Sequence, residues 1–267
     1  EIVLKDPPIS EIYKNKLLVK IRIKPVNPNI VSKIKNKINP NIYTNLSDTD
    51  YDYLEPSKKK FVKTLLPIII NENQNILITR SFIFDLKNKL QTFKTLDNDE
   101  ISKLNNIAKK NNINHLNKHK LDIVNEILLK VDVIPNSIVL AQAAIESGWG
   151  SSRFAKEYNA LFGEYTYDDN RGVKPLKRNN GDKHLIKSFK SYDSSVRSYF
   201  KNINSHYAYE EFREIRKIMR ERKNFSNINL LVEQLNTYAE DENYISTIKA
   251  VIKSNKFKKF DSKTITY

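Results

Sequence analysis

Cysteine is absent from the chain. That excludes disulfides, thiol nucleophiles and cysteine-ligated metals. Long apolar runs are missing too: no stretch approaches the about 20 residues that a membrane-spanning helix needs. Histidine occurs four times, as His115, His119, His184 and His206. His115 and His119 have the i,i+4 spacing of two zinc ligands on one helix. However, Leu116 stands where an HExxH motif carries its glutamate, and no third ligand is evident. No metal and no other cofactor is expected. Nucleic acid is not expected as a partner either, because Rossmann, P-loop, RNP and zinc-finger patterns are all missing. Tryptophan occurs once, as Trp149, and all five glycines fall between Gly148 and Gly181. Conformational freedom is thus concentrated in one short stretch.

The chain has 267 residues, room for one full core with an appendage. Its formal charge is +15. Lysine, asparagine and isoleucine are abundant together, as an AT-rich coding bias produces, so part of this charge carries no function. The remainder favours polyanions, of which an anionic bacterial wall is one. The chain opens at Glu1 with no apolar h-region ahead of it, which fits a processed product.

Residues 1–54 read as an extended arm or linker. Pro7, Pro8, Pro25, Pro28 and Pro40 interrupt them, and the one clear pattern is a short strand-like alternation around Val19, Ile21 and Ile23. The arm is expected to contact the wall or a protein partner. From Glu55 the pattern turns helical, with two helices kinked or separated near Pro67 and Asn71–Asn73. Further helices are expected from about Asp97 to Lys110 and from about Asn117 to Val131. Beyond residue 190, helices are expected at 192–205, 209–222, 227–238 and 241–255, followed by a loosely packed basic tail over 256–267. The stripe FREIRKIMRERK reads as a solvated basic face.

Between these flanks lies PNSIVLAQAAIESGWGSSRFA, from Pro135 to Ala155. Pro135 suits a first helical turn, and Ile138, Leu140, Ala141, Ala144 and Ile145 recur at helical spacing. Gly148 and Gly150 end the helix. Glu146 therefore sits in the last turn of a buried helix. The negative end of the helix dipole and the apolar surroundings both disfavour its charge, so its pKa is expected to rise. Trp149 is placed to shield it further. A carboxyl kept protonated near neutrality suits a general acid for a glycosidic oxygen. Gln142, one turn earlier on the same stripe, is a second buried polar group that needs a partner, and a sugar is a candidate. After Phe162 the helical period is lost. Tyr165 and Tyr167, a DDNRG turn, an NNGD turn and then His184, Ile186 and Ser188 predict a small β-hairpin or three-stranded lobe. Such a flap, with exposed rings to stack on sugar faces, suits a polysaccharide.

AQAAIESGWGSSRFAKEYNALFGEY, from Ala141 to Tyr165, resembles the catalytic stretch of the Bax family of bacterial N-acetylglucosaminidases. That family belongs with glycoside hydrolase family 73, beside the flagellar glucosaminidase domain FlgJ. Gln142, Glu146, Ser147, Gly148, Gly150, Asn159, Leu161, Phe162 and Gly163 fall on family-typical positions. The stretches Gly172–His184 and Phe189–Tyr209 resemble the family as well. Asn236–Tyr244 is similar to its YATDPNY signature, which places Tyr238 on the tyrosine lining the groove and Tyr244 beside it. The resemblance implies a mainly α (α+β), lysozyme-like domain over 55–255 with a small β-hairpin lobe. It implies an endo-β-N-acetylglucosaminidase that cuts the β-1,4 bond after N-acetylglucosamine in peptidoglycan, with Glu146 as acid. A bacterial envelope location, periplasmic or secreted, follows from that substrate. Gln142, Trp149, Asn159, Phe162, Tyr165, Tyr238 and Tyr244 are the expected substrate-binding set.

Glycoside hydrolysis generally needs a second carboxylate. Where family members often carry an acid after the histidine matching His184, this chain has Leu185. Glu164, Asp168, Asp169 and Asp182 are the candidates, with Asp182 and Glu164 preferred. Two other functions stay open: a lytic transglycosylase on the same fold, and a non-catalytic basic wall-binding protein.

Overall fold

The computed structural model describes residues 47–175 and 184–263. Most of the expected N-terminal arm and Asp182 lie outside these residues. Helices dominate the described part: α1 (Pro56–Gln91), α2 (Asn98–Lys110), α3 (Lys120–Lys130), α4 (Asn136–Ser147), α5 (Arg153–Tyr158), α6 (Tyr192–Ser205), α7 (Glu210–Glu221), α8 (Asn229–Val232) and α9 (Tyr244–Ser254). Strands β1 (Tyr165–Thr166), β2 (Gly172–Val173) and β3 (Leu185–Lys187) form one antiparallel sheet in the order β1-β3-β2. Tyr165 pairs with Ile186, and Val173 pairs with Ile186 from the other side. The fold is mainly α with a small three-stranded lobe, as the sequence pattern predicts. Gly172 is required where β2 meets β3, since a Cβ there would stand 2.4 Å from Leu185 Cβ.

The core is built around α4. Every residue from Asn136 to Ala144 is buried, because alanines on this helix let α1, α9 and the C-terminal segment pack closely on it. Gly148 takes φ +56°, and Trp149 N–H closes on the Ala144 carbonyl at 2.9 Å, a Schellman end that halts the helix one turn past Gln142. At the other end Pro135 is the N-cap and has no side chain to bond the helix amides. Asp261 supplies that function from the far end of the chain. Its carboxylate accepts from both the amide and the hydroxyl of Ser137, each at 2.8 Å.

Three expectations are corrected here. The stretch over Pro67 and Asn71–Asn73 is not a break, since α1 runs unbroken for 36 residues. Proline removes one helical bond, but Leu65, Leu66, Ile69 and Ile70 on both sides are buried, and that packing outweighs the loss. Asn73 is fully buried because it bonds the backbone of Ile134 in both directions and Asn136 as well, fixing the entry to α4. Over its described residues, 256–263, the tail is not loose. Phe257 and Phe260 are buried in a 3-10 segment, Phe257–Lys263, and Phe260 stacks on Tyr51 at 5.8 Å. Tyr51 and Leu54, which the sequence pattern put in the arm, are buried too.

The third correction concerns α7, read as a solvated basic face. Arg213 and Arg216 are buried. Arg216 donates to the carbonyls of Asp132 and Val133 and to Asn204 Oδ1, at 2.7–3.1 Å. Arg220 grips Asp132 with two bonds of 2.5 and 2.6 Å, and Arg80 of α1 lies 3.4 Å from the same carboxylate. Guanidinium groups thus satisfy the strap between α3 and α4, which has carbonyls to offer and no secondary structure to use them.

Candidate active site

Glu146 occupies the last turn of α4, half-buried, and no ion pair reaches it among the described residues. Burial pushes its carboxyl above the ordinary range, and the bond from Tyr244 only partly offsets this. Tyr244 Oη donates to Oε1 at 2.8 Å. Oε2 has no hydrogen-bond partner among the described residues and lies beside Gly163. A Cβ on Gly163 would stand 3.2 Å from that oxygen, and the residue holds φ +63°. The chain therefore needs glycine here for its conformation and for the space at Oε2. Gly163→Ala should cost about 1–2 kcal/mol in backbone strain. It should also lower turnover by crowding Oε2, a loss that kinetics on folded protein would register and that an unaltered rate would refute.

Tyrosines surround the carboxyl. Tyr244 stacks on Tyr238 at 5.8 Å with rings nearly parallel, and Tyr238 Oη donates to the Phe162 carbonyl at 2.8 Å. Gln142 is fully buried and has found protein partners instead of sugar: it donates to Tyr244 Oη at 2.9 Å and accepts from Tyr199 Oη at 2.5 Å. Phe162 is 2% exposed and stacks on Tyr199 at 4.2 Å, so it lies behind the site rather than open to substrate. Asn159 donates to the Phe189 carbonyl at 3.0 Å and ties the end of α5 to the segment leaving β3. Trp149 packs against Phe61 and Phe257, with Lys58 over its ring, and the aromatic that bonds Glu146 is Tyr244. Tyr165 is 65% exposed on the lobe, against His184 at 4.2 Å.

Glu164, leading into β1, is the second carboxylate brought into this neighbourhood. Its Oε2 accepts from Ser198 at 2.7 Å and faces Lys187 at 3.4 Å, while Oε1 is buried without a partner among the described residues. Burial pushes this carboxyl up, and Lys187 opposes the rise. The phenols of Tyr199, Tyr209 and Tyr238 feel both Glu146 and Glu164, and burial holds all three above the usual tyrosine range. Asp168 is engaged with Arg171 at the tip between β1 and β2. Tyr199 and Ser198 were not singled out in the sequence. Tyr199 lies on the apolar stripe of Val196, Phe200 and Ile203, where nothing separates it from an ordinary core residue.

Residues 121–257 match the glucosaminidase family, described as mannosyl-glycoprotein endo-beta-N-acetylglucosaminidase. The chain belongs to the glucosaminidase family. This glucosaminidase match begins in α3 and ends at Phe257, so it includes Glu146, Glu164 and the tyrosine cluster. It makes the domain a glycoside hydrolase domain. The chain is 29% identical to Protein bax of Escherichia coli K12 over 205 residues, covering 75% of this chain and 70% of that protein. Among solved structures, the catalytic domain of the autolysin Auto of Listeria monocytogenes aligns over 89% of this chain and all of its own. The identity is 14% and the TM-score 0.44.

Proposed function

We propose that the domain is a peptidoglycan hydrolase of the bacterial envelope, an endo-β-N-acetylglucosaminidase that cleaves the β-1,4 bond after N-acetylglucosamine with Glu146 as general acid. The observation that carries this reading is the state of Glu146: a carboxyl at a helix C-terminus, raised by burial, bonded through Oε1 to Tyr244 and, among the described residues, without an ion pair or a partner on Oε2. A protonated carboxyl near neutrality is what protonation of the leaving oxygen requires. Family membership supports a glycan containing N-acetylglucosamine as the substrate class.

Glu164 is the second group we favour, because its buried Oε1 lacks a partner among the described residues and burial raises the carboxyl against the opposing pull of Lys187 and Ser198. Glu164→Gln should lower turnover by about 10²-fold or more. An unaltered rate would move the role to Asp182 or to the substrate's own acetamido group, the substrate-assisted route. The function itself is tested by digesting purified sacculi and weighing the soluble products. Hydrolysis gives fragments with full reducing ends. Anhydro fragments, lighter by one water, would mark a transglycosylase, and release of nothing would mark a binding protein.

A further inference from the structure

Three hydrogen bonds run from Glu146 into the core. Tyr199 donates to Gln142 Oε1 at 2.5 Å, Gln142 donates from Nε2 to Tyr244 Oη at 2.9 Å, and Tyr244 donates to Glu146 Oε1 at 2.8 Å. Tyr199 and Gln142 are fully buried and Tyr244 is 4% exposed, so the two inner bonds are shielded from water. We propose that Tyr199 and Gln142 are positioning residues: acting through Tyr244, they hold Oε1 of Glu146 as a permanent acceptor and confine the acid proton to Oε2. The inference rests on Glu146 being the acid.

The direction of the chain follows from what each group can donate. A phenol has one hydrogen, and an amide has distinct donor and acceptor ends. Gln142 Oε1 is the one hydrogen-bond partner of the Tyr199 hydroxyl among the described residues. With the amide turned over, Nε2 would face Tyr199, and the phenolic hydrogen would be left without an acceptor in a buried position, which is costly. The amide therefore presents its donor to Tyr244, and Tyr244 must direct its single hydrogen at Glu146. In the reverse direction a protonated Glu146 would donate from Oε1 into the core, where no glycosidic oxygen can reach it. Ring packing holds the arrangement in place: Phe162 stacks on Tyr199 and Tyr238 stacks on Tyr244.

Tyr244 on α9 is the titratable group that acts on Glu146 among the described residues. Glu146 in turn acts on the phenols of Tyr244, Tyr238 ahead of it, Tyr199 on α6 and Tyr209 ahead of α7. Glu164 acts on the same phenols, Tyr244 excepted. Burial holds these phenols above the usual tyrosine range, so they remain protonated donors while Glu146 titrates.

The test follows the side-chain carboxyl carbon of Glu146 by NMR through a pH titration, with Glu146→Gln to assign the signal. In Tyr244→Phe the carboxylate loses its donor, and Glu146 should become a roughly ten- to hundredfold weaker acid. Tyr199→Phe and Gln142→Met should move it the same way by less. Their kcat on soluble, uncross-linked glycan strands should fall while KM stays close to wild type. A chain running the opposite way gives the opposite sign, since loss of an acceptor for the Glu146 proton makes it a stronger acid; that result overturns the proposal. So does an unmoved titration in both Tyr199→Phe and Gln142→Met, and these two carry the test if Tyr244→Phe does not fold. Failure of the catalytic reading shows separately, as undiminished hydrolysis by Glu146→Gln.

Discussion

Glu146→Gln should abolish wall hydrolysis while the protein stays folded. The amide keeps the shape of the carboxyl and can still accept from Tyr244, so α4 and the tyrosine cluster have no reason to rearrange. What is lost is the transferable proton. General acid catalysis contributes about 10²–10⁴-fold, and the loss should be at least of that order. Because the wild-type carboxyl is raised by burial, its activity should persist to higher pH than an ordinary glutamate would allow, and fall as pH rises through the raised value. Circular dichroism and thermal melting would establish that the variant is folded, and retained turnover in a folded variant would remove Glu146 from the role of acid.

The second large effect is on stability. Asp132→Asn should destabilise the domain by about 3–5 kcal/mol, because it strips the shared counter-charge from Arg80, Arg216 and Arg220 and leaves buried guanidinium groups unpaired. For a domain of this size that corresponds to a fall in Tm on the order of 10 °C. The pH dependence has a definite sign. Burial alone would raise the Asp132 carboxyl, but Arg80, Arg220 and Arg216 overcome it and hold the group below the ordinary aspartate range. Its contribution is therefore present above the unfolded value, about 4, and is lost as pH falls through the depressed folded value. The variant should accordingly show a flatter acid limb in its stability profile. A loss under about 1 kcal/mol would show that the strap holds without the charge.

These two residues differ in how far the sequence reveals them. Glu146 was legible because local signals agree there: a proline start, apolar residues at helical spacing, two glycines at the end, and one carboxylate on the last turn. The arginine knot was not, because charge reads as solvent exposure until its partners are known. A signal did exist, since Arg216 falls one helical turn from Phe212 on the same buried face as Ile215 and Met219. The unbroken α1 was hidden for a similar reason. Pro67 and Asn73 are local helix breakers; the burial of Leu65, Leu66, Ile69 and Ile70 carries the helix past the first, and bonds to Ile134, 61 residues away, hold the second. Gln142 reads in the sequence as a buried polar group in need of a partner. That its partners are Tyr199 and Tyr244, 57 and 102 residues distant, only the folded chain discloses.

The central claim is that this domain cuts after N-acetylglucosamine by means of Glu146, and the identity of the new chain end tests it most directly. Purified glycan strands would be digested with wild type and with Glu146→Gln, the ends reduced with borohydride, and the terminal sugar alcohols of the intact fragments identified by tandem mass spectrometry. The account predicts N-acetylglucosaminitol from the wild-type digest and none above background from the variant. N-acetylmuramitol as the new end, or equal release by both proteins, would contradict it.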